Sequence, residues 1–226
     1  AGASLRLVAA GGPLVWAGGV LLGAVGAFRP QGVLDRLITA GALVTMAIPA
    51  FALAVLAQTA AQGVNAWAGA PIFVWTGEYT PGAAGAVADR LRHLLLPTAV
   101  LALGQAAMCA RYQRGLMLDA LNAGYVRAAM ARGLRRRTAL RRHALRVTVA
   151  PMTAFAAYGF AALLTGTAVT EKIFAWHGLG EWLIDSIAGD DVNAVAACGC
   201  VAAMTIAVVG LLADLAHAAL DPRARP

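Results

Sequence analysis

The chain has 226 residues, of which 60% are hydrophobic and only 13% charged, and its mean hydropathy is +0.71. An ordinary soluble domain carries more charge and shorter apolar runs, so the composition points to an all-α polytopic membrane protein. The net charge of +7 is almost entirely arginine and sits between apolar runs, which favours a membrane face or a protein partner over nucleic acid.

Five stretches can span about 30 Å of hydrocarbon, which takes roughly 20 helical residues. They are residues 7–28, 37–62, 94–110, 149–169 and 194–220. Backbone groups inside hydrocarbon must be paired internally, so helices are the expected form. In the first stretch, Gly19 and Gly23 make a small-xxx-small pattern that lets two helices approach closely. Pro49 and Pro97 fall inside the second and third stretches and are expected to kink them. Residues 63–93 form a loop whose Trp67, Trp75 and Tyr79 suit a membrane interface. A second loop, 170–193, collects Glu171, Glu181, Asp185, Asp190 and Asp191.

Residues 111–148 carry ten arginines and cannot cross a bilayer centre at tolerable cost. The positive-inside rule therefore places them in the cytoplasm. That choice puts fourteen of the eighteen basic side chains inside and leaves Arg6, Arg90, Arg92 and Lys172 outside. The 63–93 and 170–193 loops are then extracytoplasmic and the C-terminus is cytoplasmic. Within the basic loop, the third helix is expected to continue inward, with Gly124 interrupting it. A second helix follows over Val126–Arg132, and Gly133 is suited to end it. Pro151 is placed in the first turn of the next helix, where N–H groups are unpaired anyway. A solvated positive-inside loop with no partner is the plain alternative.

The pattern Arg127-Ala128-Ala129-Met-Ala-Arg-Gly133 resembles the EAA signature of ABC importer permeases. Around it, Ala110-Arg111-Tyr112, Arg114, Tyr125-Val126-Arg127, Gly133-Leu134, His143-Ala144-Leu145-Arg146 and Pro151 are similar to the dipeptide/oligopeptide/nickel branch. The run Glu171-Lys-Ile-Phe174-Ala-Trp176-His-Gly178-Leu179-Gly180 has the form of that branch's B-type permease. Leu220-Asp221-Pro222-Arg223, Leu34-Asp35 and Ile48-Pro49-Ala-Phe51 fit as well, so the resemblance covers essentially the whole chain. Four positions depart from it. Arg127 replaces a glutamate, Gly124 an acidic residue, Val147 an asparagine and His177 a proline.

The resemblance implies an ABC type I importer transmembrane domain, here five spans of a six-span subunit, in a bacterial inner membrane. It implies a second, C-type permease subunit, two ABC ATPase subunits, and an extracytoplasmic solute-binding protein that delivers a peptide or related solute. The coupling and ATPase-docking residues would be Tyr125, Arg127, Ala128, Ala129, Gly133, Leu134, Arg135 and Leu140. Binding-protein contacts would be Glu171, Phe174, Trp176, Gly178 and Gly180. This chain lacks a Gly-rich loop with Lys-Ser/Thr, so ATP and magnesium are expected on the partner subunits and catalysis is not expected here. The four histidines are dispersed, without metal-ligand spacing. Asp214 lies near the end of the last apolar run, where pairing or snorkelling to the interface is the simpler role. An ion-coupled carrier or channel, or a scaffold whose basic loop binds anionic lipid, are the competing classes.

Overall fold

A computed structural model describes residues 2–82 and 87–220, all helices and connecting segments. The elements are α1 (Gly2–Phe28), α2 (Val33–Ala47), α3 (Ala50–Ala68), α4 (Val87–Asn122), α5 (Gly124–Ala131), α6 (Arg136–Ala139), a π-helical turn (Leu140–Ala144), α7 (Leu145–Phe174), α8 (Leu179–Ala188) and α9 (Val192–Leu220). Among the described residues, α1, α4 and α9 are each long and apolar enough to cross a membrane, and the α2–α3 pair adds a fourth candidate. The 30-residue α7 coincides with the fourth predicted stretch. The C-terminal signature from Asp221 onward lies outside the described residues.

The two prolines behave differently from each other. Pro97 is contained within α4, whereas at Pro49 the second predicted stretch breaks into two helices rather than kinking as one. Pro49 has extended backbone (ψ 143°) and stands as the N-cap of α3. It cannot donate the N–H that would continue α2, and its ring fixes φ for a new start. Pro151 also differs from expectation. The helix begins at Leu145, so Pro151 lies beyond its first turn.

The chain folds as two compact units. The first contains the chain up to Pro13, Ile48–Gly104 and Phe160–Ala207. The second contains Leu14–Ala47, Gln105–Gly159 and the chain from Val208. In the first unit, Phe174 packs with Ala54 and Val100, and Trp176 packs with Ala3 and Leu7. In the second unit the core joins Ala24 and Ala27 of α1, Met117 and Ala120 of α4, and Leu140 and Ala144 of the π turn. Tyr112 of α4 stacks on Phe155 of α7 with ring centroids 4.7 Å apart.

Small residues set how closely α1 and α4 approach in the second unit. A Cβ on Gly19 would collide with the Cys109 side chain, and one on Gly23 would collide with the Ala110 carbonyl and the Gln113 Cβ. The Gly19–Gly23 pattern thus has a partner helix. Large apolar side chains on α2 and α9 remain uncovered, among them Leu37, Val44, Val208 and Leu212. Apolar helix surface left open on this scale belongs against lipid or another subunit. Replacing Gly23 with leucine forces the α1 and α4 backbones apart and should cost about 2 kcal/mol, as overpacking of a tight contact does. Thermal unfolding of the purified protein in detergent checks this, the expected result being a clearly lowered midpoint for Gly23→Leu.

Candidate functional site

The basic loop is built on a helix stop. Helix α4 ends at Asn122, Ala123 turns to an extended backbone (ψ 142°), and α5 begins at Gly124. At the far end of α5, Leu134 N–H donates to the Ala129 carbonyl (3.3 Å) and Gly133 N–H to the Met130 carbonyl (2.9 Å). Those two bonds make a Schellman motif, whose penultimate residue must take positive φ. Gly133 is there, at φ +93°. A Cβ at Gly133 would meet nothing within 4 Å. Backbone conformation alone therefore demands glycine at this corner.

Burial sorts α5 into two faces. Val126 and Ala129 are buried, while Tyr125, Arg127, Ala128 and Arg132 are exposed. Residues 125, 128 and 132 follow helical spacing and make one outward stripe. Of the predicted docking residues, Gly133 and Arg135 are also exposed and Leu134 is half-buried. Ala129 and Leu140 are not on the outward face. Ala129 is turned inward, and Leu140 lies in the core with Ala27 and Met117. Their part is to seat the loop on its own helices. In the π turn that follows, Leu140 and Ala144 both enter that core.

Two polar contacts fix the same region. Arg114 on α4 donates in bidentate fashion to Asp35 on α2, Nε to Oδ1 at 2.5 Å and Nη2 to Oδ2 at 2.7 Å. Asp35 also accepts the Gln31 N–H at 2.7 Å and is almost fully buried. Gly26 leaves the space, since a Cβ there would stand 3.0 Å from Asp35 Oδ1. Arg136 donates to the Phe28 carbonyl at 2.6 Å, tying α6 to the end of α1. Asp35 and Arg114 are 79 residues apart, and nothing in the local pattern of either pointed to the other.

The other candidate region closes the end of α7. An α-helix leaves its last four carbonyls unpaired. Here Glu171 O accepts from Trp176 N (2.8 Å), Lys172 O from Ala175 N (3.4 Å), Ile173 O from Gln58 Nε2 (3.1 Å) and Phe174 O from Gly77 N (2.9 Å). The first two again form a Schellman motif, now with Ala175 at φ +50°. The Glu171 carboxylate then starts the next helix. Its Oε2 accepts the N–H groups of Gly180 (2.7 Å) and Glu181 (3.0 Å) at the positive end of α8. A side chain at Gly178 would collide with that carboxylate, and one at Gly180 with Ala168. Trp176 Nε1 donates to the Ala3 carbonyl at 3.1 Å.

The predicted binding-protein contacts are therefore largely interior. Glu171, Phe174, Trp176 and Gly180 are buried, and Gly178 is half-buried. They shape the loop, and its exposed surface is made by His177 within the motif and by neighbours beyond it, chiefly Trp182, Ile187, Asp190 and Asp191. His177 pairs with Glu181 (Nδ1 to Oε2, 2.8 Å). Lys172 bonds Asp185 at 2.5 Å, and this contact raises the lysine pKa above its ordinary value. His93 is also structural. Its Nδ1 lies 3.1 Å from the Gly77 carbonyl, which can only accept, so that nitrogen carries a proton.

Residues 19–226 match the family model described as the binding-protein-dependent transport system inner membrane component. The chain belongs to that family. This permease is 45% identical over 228 residues to the oligopeptide transport system permease protein OppB of Mycobacterium tuberculosis, covering 99% of the chain and 70% of that protein. It is 30% identical to the dipeptide transport system permease protein DppB of Haemophilus influenzae, covering 94% and 68%. Its fold is similar to that of the MetNI methionine ABC transporter in inward-facing form, with TM-score 0.71, 18% identity, and coverage of 97% of this chain and 93% of the other.

In the permease the loops after α5 and α7 thus share one construction, a helix stopped by a residue at positive φ. Among the exposed residues that the sequence reading left out is Arg132, which the spacing from Tyr125 and Ala128 signals. Two substitutions probe the arrangement. Ala175→Gly removes a left-handed alanine and should raise stability by up to about 1 kcal/mol. Asp35→Asn loses a charge-assisted pair and should cost roughly 2 kcal/mol. Thermal unfolding of the two variants beside the parent reads both, and the expected shifts have opposite sign.

Proposed function

We propose that this permease forms part of the pathway of an ATP-driven importer of oligopeptides, and that α5 docks on a separate ATPase subunit. The peptide cargo rests on the names of the relatives that it matches along nearly its full length. The docking role rests on one observation, the short α5 held by its buried face and left open on its outward stripe of Tyr125, Ala128 and Arg132. Small Ala128 lets a partner surface come close, and the flanking arginines suit an acidic groove.

ATP-driven closure of the ATPases would move α5, and the contacts around it specify where the movement goes. Leu140, Ala144 and Met117 link the loop to α1 and α4 through a packed core, and Asp35–Arg114 ties α4 to α2. Packed elements of this kind shift as bodies rather than deform, which suits alternating access by rocking. A second permease subunit would complete the pathway, with uncovered α2 and α9 as the available apolar surfaces. The basic loop and C-terminus would face the cytoplasm. On the other side, a solute-binding protein would meet the surface that Glu171 and Gly178 support. ATP and magnesium would be held by the ATPase partners.

Gly133→Val tests the coupling corner. A β-branched residue at φ +93° costs ~1–3 kcal/mol. It should move α5 out of register while leaving the remote spans in place. The expected outcome is peptide uptake into cells reduced by about tenfold or more, with normal amounts of permease in the membrane fraction. Uptake at the parental rate in this variant would remove α5 from the coupling role.

A further inference from the structure

The second unit contains a cavity of about 720 Å³ whose wall is mixed in character. One side is apolar, formed by Val25 and Phe28 of α1 with Val33 and Leu34 of α2. The other carries three guanidinium groups, Arg29, Arg137 and Arg141. Among the described residues none of those three makes an ion pair. Asp35 also borders the cavity, but both its oxygens are taken by Arg114 and the Gln31 N–H, so it does not neutralise the arginines. Arg136 keeps the two sides together through its bond to the Phe28 carbonyl.

We propose that this cavity is a binding site for an anionic phospholipid, with the phosphate on Arg29, Arg137 and Arg141 and the upper acyl chain along Val25, Phe28, Val33 and Leu34. Three observations select that ligand. Unpaired guanidinium groups in one recess call for an anion, and their fork geometry matches phosphate oxygens. The facing wall is apolar and open, with Val33 75% exposed and Leu34 56% exposed, so a purely water-soluble anion would leave it uncovered. That wall also continues one helical turn along α2 into the exposed Leu37, so apolar surface runs on from the recess for an acyl chain to cover. Basic recesses beside membrane helices recognise acidic headgroups by this combination. An acidic protein segment would use the arginines but not the apolar wall.

Arg137 and Arg141 belong to the limb that returns from the Gly133 corner, so a lipid seated here braces that limb against α1. The site acts beside the coupling role and does not depend on the cargo.

The test uses the intact importer, purified with its partner subunits, and native mass spectrometry after titration with phosphatidylglycerol or phosphatidylcholine. The parent should retain phosphatidylglycerol in preference to phosphatidylcholine. The triple variant R29Q/R137Q/R141Q should lose that retention by well over tenfold, as each basic group near an acidic lipid contributes roughly fivefold. A control, R36Q/R142Q/R146Q, removes the same charge from positions that do not line the cavity and should retain lipid as the parent does. An equal loss in the control would mean diffuse surface attraction and overturn the site. Displacement of the lipid by inorganic phosphate at matched concentration would also overturn it, in favour of a soluble anion. Should the triple variant fail to assemble, a photoactivatable phosphatidylglycerol on the parent decides the matter. Labelling of the peptide containing residues 25–34 supports the site, and labelling confined to other segments refutes it.

Discussion

The last turn of a helix leaves four carbonyls without intrahelical donors, and in this permease the way they are satisfied shapes the loops that follow α5 and α7. At the end of α7, all four terminal carbonyls find named donors, two from the chain's own turn and two from Gln58 and Gly77. At the end of α5 the same six-residue closure recurs around Gly133. Each closure demands one residue with positive φ, and each turns the chain sharply enough to start a new element within a few residues. The loop that faces the ATPase in our reading and the loop opposite it in the sequence are therefore solutions to one bonding problem.

The solution also explains why motif residues and surface residues separate. Glu171 is the cap of α8, and the N–H groups of Gly180 and Glu181 hold its Oε2 inside. Glycine at 178 and 180 serves the same end by letting the backbone approach that carboxylate and Ala168. The loop's exposed face is left to His177, Trp182 and the acids after Ile187. Likewise in α5, Val126 and Ala129 hold while Tyr125, Ala128 and Arg132 present.

Charge follows a comparable division. Asp35 and Arg114 form a bidentate pair that links α2 to α4, and Arg136 reaches a backbone carbonyl, so part of the arginine-rich segment is committed to structure. Among the described residues Arg29, Arg137 and Arg141 make no ion pair, and they gather at one recess with an apolar wall. The net charge of +7 is thus unevenly distributed between structural and free roles, and its uncommitted part is where an anionic ligand is to be sought.

Local chemistry made much of this protein legible in its residues. Apolar runs announced membrane helices because burial in lipid scales with apolar length, and arginine density marked residues 111–148 as a segment apart from them. Gly133 was readable as a helix stop because only glycine takes φ near +93° without strain, a property of one residue rather than of its neighbours. The tertiary structure alone decided the start of α7 before Pro151 and the pairing of Asp35 with Arg114 across 79 positions. It also decided which side of each motif is buried. Those outcomes depend on which helix lies against which, and that is set by packing and polar satisfaction over long sequence separations, where periodicity carries no signal.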